Sequence, residues 1–358
     1  MIRKLDSYLF FSFLAPFLLC MVMILGLTLV VETSERLGKL IRYDGQDSLL
    51  QLLGRYYVCR VPVLAYLVAP IITLSGAIVS LVWLARQNEL MAMQASGISM
   101  KRIAVPLLTG GFIAAALAGC LQEVVVPGSA REMQRISIKM RLFGDRDENQ
   151  VFKDVFAIDP GTSIWLSARE FDYSKKTIYN GELDFPPRDG KQTLPLRIDS
   201  GYYRNQRWHV TGREPIEGPA GVEHHEFVDR LLDVTFTPED LVETAGITYR
   251  SLGELLNYAQ HSPSRAPALY TEVHKRLAYP FMNVILLLLA IPLVVESSGQ
   301  TSVRGIGLAV LAALGFYVVM MAMLDFGYRG YLPPVIAAWS APVAFTGIGY
   351  WMYKHFRG

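Results

Sequence analysis

The chain has 358 residues, 52% of them hydrophobic and 18% charged, and a mean hydropathy of +0.29. That is too apolar for an ordinary soluble domain and too polar for membrane sequence alone, so a mixed architecture is expected. A formal charge of +2, with 34 basic residues against 32 acidic ones, excludes the one-sided basic surface of a nucleic-acid binder.

Six uncharged stretches are long enough to cross about 30 Å of hydrocarbon. They are Leu9–Val31, Val61–Ala85, Ile103–Gln122, Leu277–Val295, Gly305–Leu324 and Tyr331–Tyr353. The first reads as a retained anchor, since it has spanning length and no small-residue cleavage pattern follows it. Pro16, Pro62, Pro70, Pro106, Pro280, Pro292 and Pro342 fall inside these spans. Packed membrane helices tolerate such kinks, which serve either packing or movement.

With a cytoplasmic N-terminus, the inner ends carry Arg3, Lys4, Arg86, Lys101, Arg102, Arg304, Lys354 and Arg357. The outer loops carry Arg36, Lys39, Arg42, Arg55, Arg60 and Arg329. The inward excess of basic residues places both termini in the cytoplasm and the 127–270 insert outside.

Between spans two and three, RQNELMAMQASGISMK (Arg86–Lys101) is too polar to span and too apolar to be a plain linker. Opened by Arg86 and Asn88 and laid as a helix on the membrane surface, it offers Met91, Met93 and Ala95 to a partner's groove. Glu89 is then available to a basic group, and Gly97 ends the helix by C-capping. The same pattern suits an interfacial helix that only tucks the loop against lipid.

The insert reads as β structure. Ser163–Tyr173, Thr177–Phe185, Leu196–Tyr203 and Arg207–Gly212 alternate apolar and polar residues between Pro-Gly, Asn-Gly and Asp-Gly turn signals, which predicts a sandwich or open roll. Ser251–Gln260 reads as an amphipathic helix returning to the membrane. The three cysteines, Cys20, Cys59 and Cys120, all lie outside the insert, so no disulfide staples it. His224 and His225, flanked by Glu223 and Glu226, would face opposite ways on a strand. A solvated loop is expected there rather than a metal site. His274, Lys275 and Arg276 read as an interfacial charge cluster.

Span five carries the small residues Gly305, Gly307, Ala309, Ala312, Ala313 and Gly315, which suit a dimer seam, a moving gate or close packing without motion. No Walker motif occurs, no catalytic constellation is visible, and no cofactor or metal is expected. The six spans lack Asp, Glu, Lys, Arg and His, which weighs against a secondary transporter and an intramembrane enzyme. A non-transporting membrane scaffold, with the β domain as its docking platform, remains the alternative to a permease.

Four stretches carry a family resemblance: LDSYLFFSFL at Leu5–Leu14, Val61–Pro62 with Ala69–Pro70 in span two, NELMAMQASGIS at Asn88–Ser99, and the YPF…IPL span at Tyr279–Leu293. Together they resemble the LptF/LptG (YjgP/YjgQ) lipopolysaccharide-export permeases over nearly the whole chain. The short C-terminal tail and the Leu332–Pro334 approach to span six look slightly more like LptG.

The resemblance implies a membrane α-helical bundle of six transmembrane helices, three plus three, with an inserted periplasmic β-jelly-roll-like domain. Residues 1–126 would hold spans one to three with a cytoplasmic coupling helix at 86–99, 127–270 the jelly roll with its helical return, and 271–358 spans four to six. It also implies a bacterial inner-membrane protein that works with a second permease of the family, a cytoplasmic ABC ATPase dimer that supplies ATP hydrolysis, and a periplasmic lipid-bridge protein, with lipopolysaccharide as cargo. Glu89 matches the acidic residue through which the family's coupling helix meets the ATPase. At the outer end of span one, Arg36, Lys39 and Arg42 match the place where lipid A phosphates sit in the family. Glu32 stands where some relatives have lysine, and local pairing such as Glu32 with Arg36 suits these residues equally.

Overall fold

The computed structural model describes residues 2–41, 48–142, 151–159, 162–185, 195–217, 223–243, 250–261, 265–296 and 302–355. In chain order these form α1 (Ile2–Ile41), α2 (Leu49–Arg86), α3 (Glu89–Ala95), α4 (Met100–Cys120), a π-helical turn at Leu121–Val125 and α5 (Val126–Leu142). Strands β1 (Val151–Ile158), β2 (Trp165–Asp172), β3 (Thr177–Asp184), β4 (Leu196–Arg204), β5 (Arg207–Glu217) and β6 (Glu223–Leu232) follow. The chain then runs through α6 (Pro238–Glu243), α7 (Leu252–His261), α8 (Ala266–Glu296), α9 (Ser302–Tyr328) and α10 (Pro334–His355). Two compact units result, one of Met1–Glu35, Val61–Val126 and Thr271–Gly358, the other of Arg36–Arg60 and Pro127–Tyr270.

The first unit is helical. Among the described residues, six helices are long and apolar enough to cross a membrane, and each carries one of the expected spans. The helices run past the spans: span four belongs to a helix that starts at Ala266, and span three continues through the π-helical turn. The last helix starts later than expected, at Pro334, because a proline fits the first helical position, where its missing N–H would have no partner anyway. The prolines named above sit inside helices, as lipid-embedded packing permits. Helix α8 is the most enclosed, with Ala278, Met282, Leu286, Leu287 and Ala290 buried. Its Tyr279 hydroxyl donates to the Leu67 carbonyl at 2.8 Å, and the Thr73 hydroxyl of α2 donates to Asn283 Oδ1 at 2.9 Å.

The second unit holds one antiparallel six-stranded sheet in the order β1-β2-β3-β4-β5-β6. Consecutive strands are neighbours, so the inserted β domain is built as a meander. Val155, Ala157, Leu166, Ala168, Ile178, Leu183, Ile198, Trp208 and Val210 point to one core, closed by Val234, Phe236, Leu241 and Val242 after the last strand. Trp208 is fully buried and satisfies its indole N–H on the Phe236 carbonyl at 3.0 Å. At Gly212 the β4 and β5 backbones approach so closely that an added Cβ would lie 2.0 Å from the Arg197 carbonyl oxygen. Thr237 with Asp240 and Ser251 with Glu254 make reciprocal capping hydrogen bonds that start α6 and α7.

One expectation is overturned here. The Glu223–Glu226 segment is not a loop but the start of β6, where His224 and His225 pair in register with Ile216 and Pro215.

On the other side of β1 and β2, α7 brings Tyr258 over Phe156 and His261 over Trp165, with ring centroids 4.6 and 4.0 Å apart. Arg265, leading into α8, bonds Asp154 at 2.9 Å and the Ala168 carbonyl at 3.1 Å. Burial lowers its pKa, and the Asp154 carboxylate opposes that effect.

Candidate functional site

Helix α3 is short and bounded on both sides by left-handed backbone. Asn88 turns the chain out of α2 with φ 58°, a conformation that asparagine accepts more readily than most residues. Gly97, with φ 81°, closes the helix: its N–H bonds the Gln94 carbonyl and the Ile98 N–H bonds the Met93 carbonyl, the paired bonds of a Schellman motif. Leu90, 1% exposed, anchors α3 inward, whereas Met91, at 56%, and Ala95 face out one turn apart. Arg86 and Asn88 are exposed, and Glu89 and Met93 are half-buried. Among the residues named as a coupling set, the fold thus gives a fixed one-turn platform of methionine, alanine and a carboxylate.

Glu89 is held from a direction that sequence distance concealed. The Tyr8 hydroxyl of α1 donates to its Oε2 at 2.6 Å, and Tyr8, Glu89, Ala92, Met93 and Ser96 line a shallow groove. Nearby, Arg102 reaches Asp6 of α1 at 3.6 Å.

The other sequence-predicted residues fall elsewhere. Arg42, and the side chains of Arg36 and Lys39, lie outside the described residues. On α9, Gly305 is buried, Ala312 and Gly315 are half-buried and Gly307 is exposed. A Cβ added at Gly307 or Gly315 would meet nothing within 4 Å, so these two are not contact points within the chain. Ala309, Ala313, Phe316 and Met320 form the inward stripe of α9, while Leu311, Leu314, Val318 and Met321 face outward. Asp325, at the end of span five, pairs with Arg329 at 2.8 Å on the surface.

Lys275 and Arg276, expected as interfacial charges, belong to a polar cluster at the start of span four. Because α8 begins at Ala266, Glu272 and Arg276 fall on its enclosed face, 0% and 4% exposed. Glu272 accepts from Lys275 at 2.9 Å, from Arg276 at 3.5 Å and from the Tyr328 hydroxyl of α9 at 2.6 Å. The four-residue spacing of Glu272 and Arg276, in step with Leu269, Val273 and Tyr279, was the available signal. A buried carboxylate needs such partners to offset its lost hydration.

A search of curated proteins finds no match. The family model described as "Lipopolysaccharide export system permease LptF/LptG", which covers both subunit types, matches residues 7–355. The match runs from the Tyr8 turn of α1, through α3 and the inserted sheet, to the end of α10, and the chain belongs to this family of multi-pass inner-membrane permeases of lipopolysaccharide export.

Proposed function

We propose that this chain is one permease of an ABC machine in which a cytoplasmic ATPase dimer docks on Arg86–Ser99 and a second permease of the family completes the lipid path. The reading rests above all on α3: a helix of seven residues, fixed by Leu90 and by left-handed residues at both ends, that keeps Met91 and Ala95 exposed. A loop serving only to reverse the chain has no need of that arrangement. Exposed methionine beside a carboxylate suits a groove with apolar walls and a basic rim.

The positive-inside count puts α3 and both termini in the cytoplasm and the 127–270 domain in the periplasm. Lipopolysaccharide enters between the two permeases along the outward apolar faces of α1 and α9. ATP-driven closure of the ATPases displaces α3, moves spans one and five, and drives the acyl chains toward the β domain, which passes the lipid to a periplasmic bridge protein. Arg36, Lys39 and Arg42 meet the lipid phosphates at the outer end of α1.

The test is affinity purification from the native membrane in mild detergent, wild type beside Glu89→Lys, with mass spectrometry of bound proteins and lipids. An ATPase and a second permease recovered with wild type, and an ATPase weakened by the charge reversal, are the expected result. A folded wild type that brings down no ATPase refutes the reading and leaves the scaffold in its place.

A further inference from the structure

The first turns of helix α1 are packed into its unit. Leu9 and Phe13 are buried, the Phe13 ring occupies the space that a Cβ on Gly110 would need, and the Phe17 backbone lies against Gly76. Farther along, Leu18, Leu19, Val22, Met23, Leu27 and Val30 are exposed, and none of the most apolar stretch of α1 is buried. The polar links of α1 to α3 and α4 lie in the first turns: Tyr8 to Glu89 at 2.6 Å and Asp6 to Arg102 at 3.6 Å. Glu32, near the far end of α1, is buried as well, so the stretch left uncovered is the middle of the helix.

We propose that Tyr8 is a positioning residue of the coupling apparatus, whose hydroxyl ties the Glu89 carboxylate of α3 to α1 and so passes a displacement of α3 directly to the outer length of α1. The proposal rests on the reading of α3 as the ATPase platform and adds the route by which its movement leaves it. A carboxylate can accept about four hydrogen bonds, so holding Tyr8 leaves Glu89 able to receive a partner's cation as well. Both links are exposed; Asp6–Arg102, at 3.6 Å, is the longer and weaker of the two beside the 2.6 Å hydrogen bond of Tyr8 to the carboxylate. The tyrosine ring adds reach: it spans from the α1 surface to a carboxylate 81 residues away in sequence.

The experiment uses the full complex of permeases and ATPase in lipopolysaccharide-containing proteoliposomes, with wild type, Tyr8→Phe, Glu89→Gln and the double variant. It reads ATPase recovered per permease and lipopolysaccharide released per ATP hydrolysed. Tyr8→Phe keeps the ring and the Glu89 charge. It is expected to recover the ATPase as wild type does while release per ATP falls roughly five- to tenfold, the scale of an ordinary hydrogen bond lost at an exposed site. Glu89→Gln keeps an acceptor for Tyr8 and loses the charge, so it is expected to reduce ATPase recovery while the complexes that remain stay coupled.

Unchanged release per ATP in Tyr8→Phe overturns the proposal. So does a loss of ATPase recovery in Tyr8→Phe equal to that in Glu89→Gln, since Tyr8 would then only keep the platform folded. A wild type that binds no ATPase removes the coupling reading itself, and the proposal with it.

Discussion

Tyr328 of α9 donates its hydroxyl to Glu272 of α8 at 2.6 Å, across 56 residues of sequence, and Glu272 has no exposed surface. This bond fastens two membrane helices through a carboxylate that also compensates Lys275 and Arg276. Removing the carboxylate with Glu272→Ala takes from Lys275 and the buried Arg276 the anion they share, at a cost of about 3–5 kcal/mol. Tyr328→Phe deletes the hydrogen bond to Glu272 and the longer one that its oxygen accepts from Lys275 at 3.3 Å, and should cost about 1.5–3 kcal/mol. Thermal unfolding in detergent should rank wild type above Tyr328→Phe, and Tyr328→Phe above Glu272→Ala. Equal midpoints would show that the cluster is wet and its charges are already paid for by water.

Two glycines of the second unit should respond in opposite ways to alanine. At Gly212 the new Cβ would lie 2.0 Å from a main-chain oxygen of the neighbouring strand, which cannot move without opening the β4–β5 ladder. At Gly253, in the first turn of α7, nothing lies within 4 Å. Gly212→Ala should therefore destabilise the sheet by about 3 kcal/mol or more, while Gly253→Ala should be neutral or gain up to about 1 kcal/mol from helix propensity. Limited proteolysis of the full-length protein, followed by sizing of the released fragments, distinguishes the two.

The six spans were legible because crossing hydrocarbon demands a long uncharged run, a signal that survives without any knowledge of packing. Four strands were legible by alternation; β1 and β6 were not, for opposite reasons. In β1, Val155, Phe156 and Ala157 are buried in succession, because the core covers one face and Tyr258 of α7 the other, so alternation is lost. In β6, Phe227 and Leu231 are exposed on an edge strand, so its polar, histidine-rich start resembled a loop. Gly97 and the outward Met91 could be read from local sequence. Tyr8 on Glu89 and Glu272 on Tyr328 could not, since both depend on how separate helices pack. Lys275 and Arg276 gave no sign in the local sequence that their shared partner is the enclosed Glu272.

Asp159 should give the second unit an acid-sensitive step. Burial pushes its carboxyl up, but hydrogen bonds from the side chains and backbone N–H groups of Thr162 and Thr235 outweigh that and hold its pKa at about 2 rather than 3.8. The carboxylate joins the turn after β1 to the segment after β6. Its stabilising contribution is complete above the unfolded value near ~3.9 and is lost as pH falls through the folded value of about 2. Asp159→Asn should melt earlier than wild type at pH 7, by the equivalent of about 1–3 kcal/mol. The gap should close between about pH 4 and pH 2, and a gap that stays constant over that window would assign the loss to packing.

The outward face of α9 should separate folding from assembly. Gly315 has open space where a side chain would grow, and Leu311 and Val318 on the same outward side are exposed, whereas Ala313 is enclosed by its own chain. Gly315→Leu adds bulk only to that outer surface, and in lipid an added leucine costs little, because hydrocarbon tails accept it as readily as a protein neighbour does. The variant should therefore express and melt like wild type. If the second permease closes on α9 through its small residues, the same leucine holds the two backbones apart, and co-purification of that subunit should fall about tenfold, the effect of roughly 1.4 kcal/mol of lost contact. Ala313→Leu is the opposite case: overfilling the inward stripe should lower the melting midpoint by the equivalent of about 1–3 kcal/mol before any partner is involved. Recovery of the second permease at wild-type level with Gly315→Leu would move the seam off this face and on to another uncovered apolar face, such as that of α1, where Val22 and Leu27 stand exposed.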